Sequence, residues 1–313
     1  MLFRSTEHTI LAIVNSPQRN MDNKLFSCSI FINLKKAFDT VDHSILVNEL
    51  NYYGFRGIVN DWFSSYLLKR TQTTEINSSI SDKEIVPCGV PQGSVLGPLL
   101  FLIFINDISN SSEKLNFVLF ADDTSMLYAD RHPKSLEETV NKELKKVCEW
   151  LNVNKLTLNI KKSNFVIFRP RQRLLNYEIK LKIIDNSTNI SSGLECKEYV
   201  KYLGVLIDNH LSWKYHRDYI AVKISKIVGV ISRLRHFVQF CTLRCIYQSL
   251  ILPYLTYGLT AWGQASKAHL NKLLLLQKRA LRLMYFLIPR THTIPFFISS
   301  KMLPIHLLYS EAV

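Results

Sequence analysis

Between residues 115 and 128 two apolar runs flank Ala121-Asp122-Asp123-Thr124, which predicts a β-hairpin with adjacent acids at its turn. Neighbouring carboxylates repel each other unless divalent cations hold them, and a strand–turn–strand would present both to a cleft. Alone, such a pair reads more simply as a turn, because Asp favours the local hydrogen bonding that turns need. The elements around the hairpin narrow the choice of fold. Residues 26–34 alternate as a strand, with Ser29, Phe31 and Asn33 on one face and Ile30, Ile32 and Leu34 on the other, so Asn33 stands near a strand end. Residues 43–53 and 59–68 read as helices separated by Gly54 and Gly57, followed by a polar Thr/Asn/Ser segment to about residue 83. Ser135 and Glu138 predict a capping box for an amphipathic helix carrying Leu136, Val140, Leu144, Val147 and Leu151, and residues 164–168 return as a strand. The order predicts an α+β fold, a ferredoxin-like antiparallel sheet with helices on one face. RNA-recognition domains share that order, so topology alone does not decide function.

Beyond residue 199 a hairpin-like stretch, 201–213, leads into helical segments near 214–237, 241–258 and 266–288, which predicts a helical second domain from about residue 214. Residues 214–313 hold 14 Lys+Arg against 2 Asp+Glu, and the preceding 213 hold 25 against 23, so the last third carries +12 of the net +14. Such a region attracts a polyanion, and a phosphate backbone fits better than an anionic membrane. Apolar runs such as 99–105 and 273–276 fall far short of the roughly 20 residues that span a bilayer, so no membrane partner is expected. Arg4, Glu7 and His8 interrupt the start where a secretory signal would be apolar. The expectation is a protein that stays in the cell, in the nucleus or cytoplasm. Six cysteines lie too far apart for a disulfide scaffold, and none forms a C-x-x-C pair. Cys241 and Cys245, one helical turn apart near His236, read as buried helix thiols before they read as zinc ligands.

At 89–101 Pro and Gly shape a tight loop before a strongly apolar helix, with Ser94 as its N-cap and Pro98 near the first turn. The helix reads as core. The loop exposes backbone N–H groups and Gln92 where a nucleotide or template would lie.

With these runs in place the sequence resembles the reverse transcriptases of non-LTR retrotransposons, the Jockey-like group in particular. The matching runs are FINLKKAFDTVDH at 31–43, GVPQGSVLGPLLFLIFIND at 89–107, FADDT at 120–124, LTLNIKKSNFVIF at 156–168 and YLGVLIDNHLSW at 202–213, in the family's order. YQSLILPYLTYGLTAWG at 247–263 and LQKRALRLMY at 276–285 look like its thumb. The resemblance implies a right-hand polymerase: residues 1–25 a remnant of the fingers region, 26–213 the palm, 214–313 a basic helical thumb. It further implies two Mg2+ ions, with Mn2+ as a substitute, an RNA template, a DNA primer and deoxynucleoside triphosphates. Asp122 and Asp123 match the paired metal ligands. Phe38 matches the bulky residue beneath the incoming sugar, and Gln92 with Gly93 the loop beside the nascent pair; without the motif they would be a core aromatic and loop residues. Lys162 aligns with the lysine that protonates the leaving pyrophosphate, Lys161 being the other register, and either also reads as a surface lysine. Lys223, Lys226, Arg233, Arg235, Lys278, Arg279 and Arg282 are candidate phosphate contacts, some of them simply a solvated helix face.

Two departures from the family pattern bear on activity. An Asp stands in the family where this chain has Asn33. An amide offers one neutral oxygen where a hard cation prefers an anionic one, a loss of several kcal/mol and on the order of 10³ or more in rate. Asp39 and Asp42 lie beyond the strand end and read as capping or surface carboxylates, not as replacements. The second departure is an expected N-terminal truncation: Arg4-Ser5-Thr6 resembles the end of the fingers, so the basic residues that grip the triphosphate are expected upstream, and target cleavage by an endonuclease is not expected of this chain. An inactive nucleic-acid-binding relic is therefore the alternative expectation. A group II intron maturase or other template-dependent polymerase shares the palm and fits the thumb runs less well.

Overall fold

A computed structural model of the protein describes residues 5–68, 70–184 and 191–312. After helix α1 (Thr6–Asp22) comes strand β1 (Phe26–Ile32), then α2 (His43–Tyr52) and α3 (Ile58–Leu67). The polar segment that follows folds as two small ribbons, β2 (Thr71–Gln72) with β5 (Glu84–Ile85) and β3 (Glu75–Ile76) with β4 (Ser79–Ile80). Next come α4 (Leu96–Ile105), β6 (Asn116–Phe120), β7 (Asp123–Asp130), α5 (Pro133–Val153) and β8 (Asn164–Phe168). Three short strands follow, β9 (Lys182–Ile184), β10 (Ser191–Gly193) and β11 (Glu195–Cys196).

The main sheet has the order β11-β8-β1-β7-β6. Its hairpin and central pairing are antiparallel, but β11 joins β8 in parallel, so the sheet is mixed at one edge rather than wholly antiparallel. Alternation along β1 sends Cys28, Ile30 and Ile32 into one apolar cluster with Met126 of β7 and Phe117 and Leu119 of β6. Leu46 and Leu50 of α2, Phe101 and Phe104 of α4 and the Leu136–Val140–Leu144–Val147–Leu151 stripe of α5 belong to the same cluster. Each such side chain contributes about 1.5–3 kcal/mol by burial, so this face fixes the strand register.

Helix α2 is capped by Asp42, whose Oδ1 accepts the N–H groups of Ser44 (3.0 Å) and Ile45 (3.1 Å). The capping box expected at Ser135 does not form. Helix α5 starts two residues earlier, with Pro133 in its first turn where a missing N–H costs little, and the Ser135 hydroxyl donates to Asp130 Oδ2 at 2.9 Å.

The remaining elements are the hairpin β12 (Tyr199–Tyr202) and β13 (Val205–Asp208), then α6 (Lys214–Leu234), α7 (Phe240–Ile246), α8 (Leu252–Thr256), α9 (Leu259–Trp262), α10 (Lys267–Met284), α11 (Ile294–Ser299) and α12 (Ile305–Ala312). Helices α6 and α10 pack together. Their buried faces carry Ile220, Ile224, Val228 and Ile231 on one side and Leu273, Ala280, Leu281 and Met284 on the other. Gln277 of α10, fully buried, donates to Tyr247 Oη (2.8 Å) and the Leu303 carbonyl (3.2 Å) and accepts from Ile305 N–H (2.9 Å). The helix expected over 241–258 is broken into α7, a π-helical turn over 247–251 and α8. Pro253 removes a donor from the helical ladder at that place. Gly258 then turns the chain at φ +63°, where a Cβ would come within 3.2 Å of Val205 Cγ2.

Two compact units emerge. One comprises residues 23–167 and 172–197, the other 5–22, 168–171 and 198–312. Their boundaries run differently from the expected 25/26 and 213/214 divisions, because α1 and the β12–β13 hairpin group with the helices and not with the sheet. Cys241 and Cys245 are exposed, a correction to the buried thiols expected there. Two residues along α7 the buried face is taken by Leu243, which turns the cysteines outward. Among the described residues no group of three or more His, Cys, Asp or Glu is arranged to hold a metal.

Candidate active site

The β6–β7 hairpin closes through a two-residue turn, Ala121-Asp122, with Phe120 paired to Asp123. Ala121 takes φ +51°, a left-handed conformation that costs a non-glycine residue roughly 1–2 kcal/mol and holds both acids at the tip. Across the sheet β1 pairs β7 with Ile32 opposite Thr124, so continuing the register by one residue sets Asn33 opposite Asp123. The backbone of Asn33 is clamped from the other side: its N–H donates to Ser163 Oγ (3.1 Å), and its carbonyl accepts the N–H of Asn159 (2.7 Å). The β1 end, the hairpin tip and the 159–163 turn thus meet at one place. Lys161 and Lys162 lie in that turn, both exposed.

Asp122 and Asp123 form no ion pair with any described residue. Burial, with Asp122 beside it, pushes the Asp123 carboxyl above its ordinary pKa. A half-buried acid pair with no countercharge among the described residues fits a divalent cation, and in the extended register Asn33, an amide, stands opposite Asp123.

The 89–97 loop is built around the chain after β1. Gly89 N–H donates to the Val41 carbonyl (2.7 Å) and Val90 N–H to the Phe38 carbonyl (2.8 Å). A Cβ on Gly89 would lie 2.8 Å from the Asp39 carbonyl oxygen, so only glycine permits this approach. His43 Nε2 binds the Gly89 carbonyl at 2.7 Å. The N-cap of α4 is Val95 and not the expected Ser94, whose Oγ nonetheless accepts the Gly97 N–H at 2.9 Å from one residue before it. Phe38 is half-buried against Phe101, ring centroids 4.5 Å apart, and Gln92 donates to Asp39 Oδ1 at 2.7 Å. Asp39 is thus an exposed acid that positions Gln92. Asp42, besides capping α2, pairs with Lys155 Nζ at 2.6 Å. Against the penalty of burial, hydrogen bonds from Lys155, Ser44 and the Ile45 N–H hold its carboxyl well below the usual range. Sequence reasoning missed the supporting residues Asn159, Ser163, His43 and Lys155. Ser163 and Asn159 are part of the LTLNIKKSNFVIF run, which was the available signal.

In the helical unit the seven basic candidates divide. Lys226, Arg233 and Arg279 are exposed. Arg282 directs Nε and Nη2 at the Thr291 carbonyl (3.2 and 3.1 Å), Lys223 lies 5.6 Å from the Tyr219 ring centre and Arg235 sits over Phe286. Lys278 lines an apolar groove with Ile294 and Ile298. Position on a helix face alone did not separate those engaged within the fold from those free to meet a phosphate.

A family model described as reverse transcriptase (RNA-dependent DNA polymerase) matches residues 3–207. The probable RNA-directed DNA polymerase from transposon X-element of Drosophila melanogaster is 28% identical over 276 residues, 84% of this chain and 28% of that protein. The RNA-directed DNA polymerase from mobile element jockey of the same organism is 26% identical over 293 residues, 90% of this chain and 31% of its own length. The chain therefore spans about three tenths of these relatives. Among solved structures, telomerase from Candida albicans in complex with a telomeric RNA fragment superposes with a TM-score of 0.50 at 11% identity, covering 96% of this chain and 53% of that one, a likeness of fold.

Proposed function

We propose that this chain, which belongs to the reverse transcriptase family, is the palm and thumb of an RNA-directed DNA polymerase of a Jockey-like retrotransposon, weakened by Asn33. The observation that carries this reading is the meeting of Asn33 with the Asp122–Asp123 hairpin tip, in the register of β1 on β7. Asp122 and Asp123 would hold divalent cations, Mg2+ or Mn2+, with Asn33 as the third, weaker ligand. When bound, such ions activate a primer 3′ hydroxyl and neutralise the triphosphate during in-line transfer. Phe38, backed by Phe101, would floor the sugar site, and Gln92, oriented by Asp39, would face the nascent base pair. As the 3′ oxygen joins the α-phosphorus and pyrophosphate leaves, Lys162, or Lys161 in the other register, would supply the proton. Lys226, Arg233 and Arg279 are the basic residues best placed to meet the phosphates of an RNA template and DNA primer.

Primer extension on an RNA template with Mg2+ or Mn2+ tests the reading. We expect faint extension by the unmodified chain and a gain on the order of 10³ for Asn33→Asp. Robust extension without the substitution overturns the role given to Asn33. The amide itself favours a second reading, an inactive nucleic-acid-binding relic. Salt-sensitive duplex binding with no extension by either form supports that one.

No described helix is long and apolar enough to cross a membrane.

A further inference from the structure

Within the helical unit a cavity of about 480 Å³ opens between α1, the 169–171 segment, the 208–213 loop and the start of α10, and the polymerase reading gives it no role. Its wall from α1 is Val14, Gln18 and Met21, spaced four and three residues apart and so on one helix face. Arg171, His210 and His269 also line it, and among the described residues no carboxylate does.

The two histidines are held alike. His210 Nδ1 lies 2.8 Å from the Arg169 carbonyl and His269 Nδ1 lies 3.0 Å from the Ser212 carbonyl. A carbonyl only accepts, so both Nδ1 atoms carry hydrogen, and each ring keeps Nε2 for a ligand. The acid of this loop, Asp208, is buried and already engaged, accepting the backbone N–H groups of His210 (3.2 Å), Ser212 (3.0 Å) and Trp213 (2.7 Å). That leaves a guanidinium and two fixed imidazoles with no facing carboxylate among the described residues, beside an apolar wall that includes Trp213.

We propose that this cavity is a binding pocket for a single phosphate-bearing nucleotide, separate from the palm, with Arg171, His210 and His269 on the phosphate and the Met21–Trp213 wall on the base. Its volume falls in the range of small-ligand sites and exceeds what a lone phosphate needs. Arg171 supplies the forked donor that phosphate favours, and an imidazole carrying hydrogen on both nitrogens adds an Nε2–H donor while keeping its Nδ1 bond to the backbone carbonyl. Cations fit poorly, because Arg171 would repel them.

Calorimetric titration with dAMP, adenosine and inorganic phosphate, in EDTA so that the palm holds no metal-dependent nucleotide, provides the test. We expect dAMP to bind about tenfold or more tightly than adenosine or phosphate alone, and Arg171→Ala to weaken it by a similar factor. The double variant His210→Asn, His269→Asn keeps a donor for each backbone carbonyl and removes both Nε2 atoms; it should weaken dAMP and leave the circular dichroism and thermal midpoint unchanged. Lys145→Ala, an exposed charge on α5, should change nothing. The proposal is overturned by absence of dAMP binding, by binding indifferent to Arg171→Ala and to the Asn pair, or by an equal loss in Lys145→Ala, which marks nonspecific attraction. Primer extension is read separately, so failure of this pocket leaves the polymerase reading standing.

Discussion

In the sheet-bearing unit Asp123 sits at a hairpin tip with Asp122 beside it and no ion pair to a described residue, and burial with that neighbour raises its pKa. In the helical unit Asp218 is gripped by Arg217 (2.8 Å) and Lys272 (2.7 Å), which bring its carboxyl down to about 2. The same residue type is unfinished in one place and complete in the other. A carboxylate pair with no basic partner in the fold is open to a ligand, whereas a paired one serves the fold. Basic residues sort by the same criterion: Arg282 completes a loop through the Thr291 carbonyl, while Arg279, three residues earlier, faces outward.

The largest effect that would break this contrast is at Asn33, where adding a third carboxylate should raise metal-dependent extension on the order of 10³ and also raise Mg2+ affinity, measurable by calorimetry. A fall in affinity would mean that added repulsion outweighs added ligation. Next in size, Gln277→Ala removes a buried, fully hydrogen-bonded side chain of α10 and strands the Tyr247 hydroxyl and the Ile305 N–H; chemical denaturation should show a loss of about 2–4 kcal/mol.

Glu49 tests whether an unpaired acid exists outside the site. Burial, then Asp107, pushes its carboxyl up to about 8 from an ordinary 4.5. Below pH 4.5 both folded and unfolded chains hold the proton, and between 4.5 and 8 only the folded chain does. Its stabilising contribution is therefore full in acid and lost as pH rises through that window. Glu49→Gln should flatten the dependence of the thermal midpoint over this range; an unchanged slope would assign it to other groups. The smallest effect separates the arginines. Arg279→Ala should reduce the slope of log K against log salt by about one, while Arg282→Ala should leave the slope and lower stability.

Local pattern revealed much of this. Alternation in residues 26–34 placed Asn33 at a strand end, and apolar runs around FADD placed the hairpin, because strand faces and tight turns are short-range properties. The long-range contacts were not legible: the Ser163 hydroxyl meets Asn33 across 130 residues, and nothing in either segment alone announces it. The start of α5 was misread because Ser135–Glu138 mimics a capping box two residues inside a helix that Pro133 already begins. The π-helical break before Pro253 escaped notice because the apolar periodicity continues through it. Arg282 could not be told from Arg279 until the carbonyl of Thr291 was in place.

The clamp on Asn33 uses its backbone N–H and carbonyl, and among the described residues its side chain has no hydrogen-bond partner. The amide therefore carries no architectural duty. Asn and Asp codons differ in one base, so a single transition in the gene would place an acid there without asking the surrounding fold to readjust. On the proposed reading of Asn33, the distance between a weakened site and one with all three carboxylates is therefore a single base.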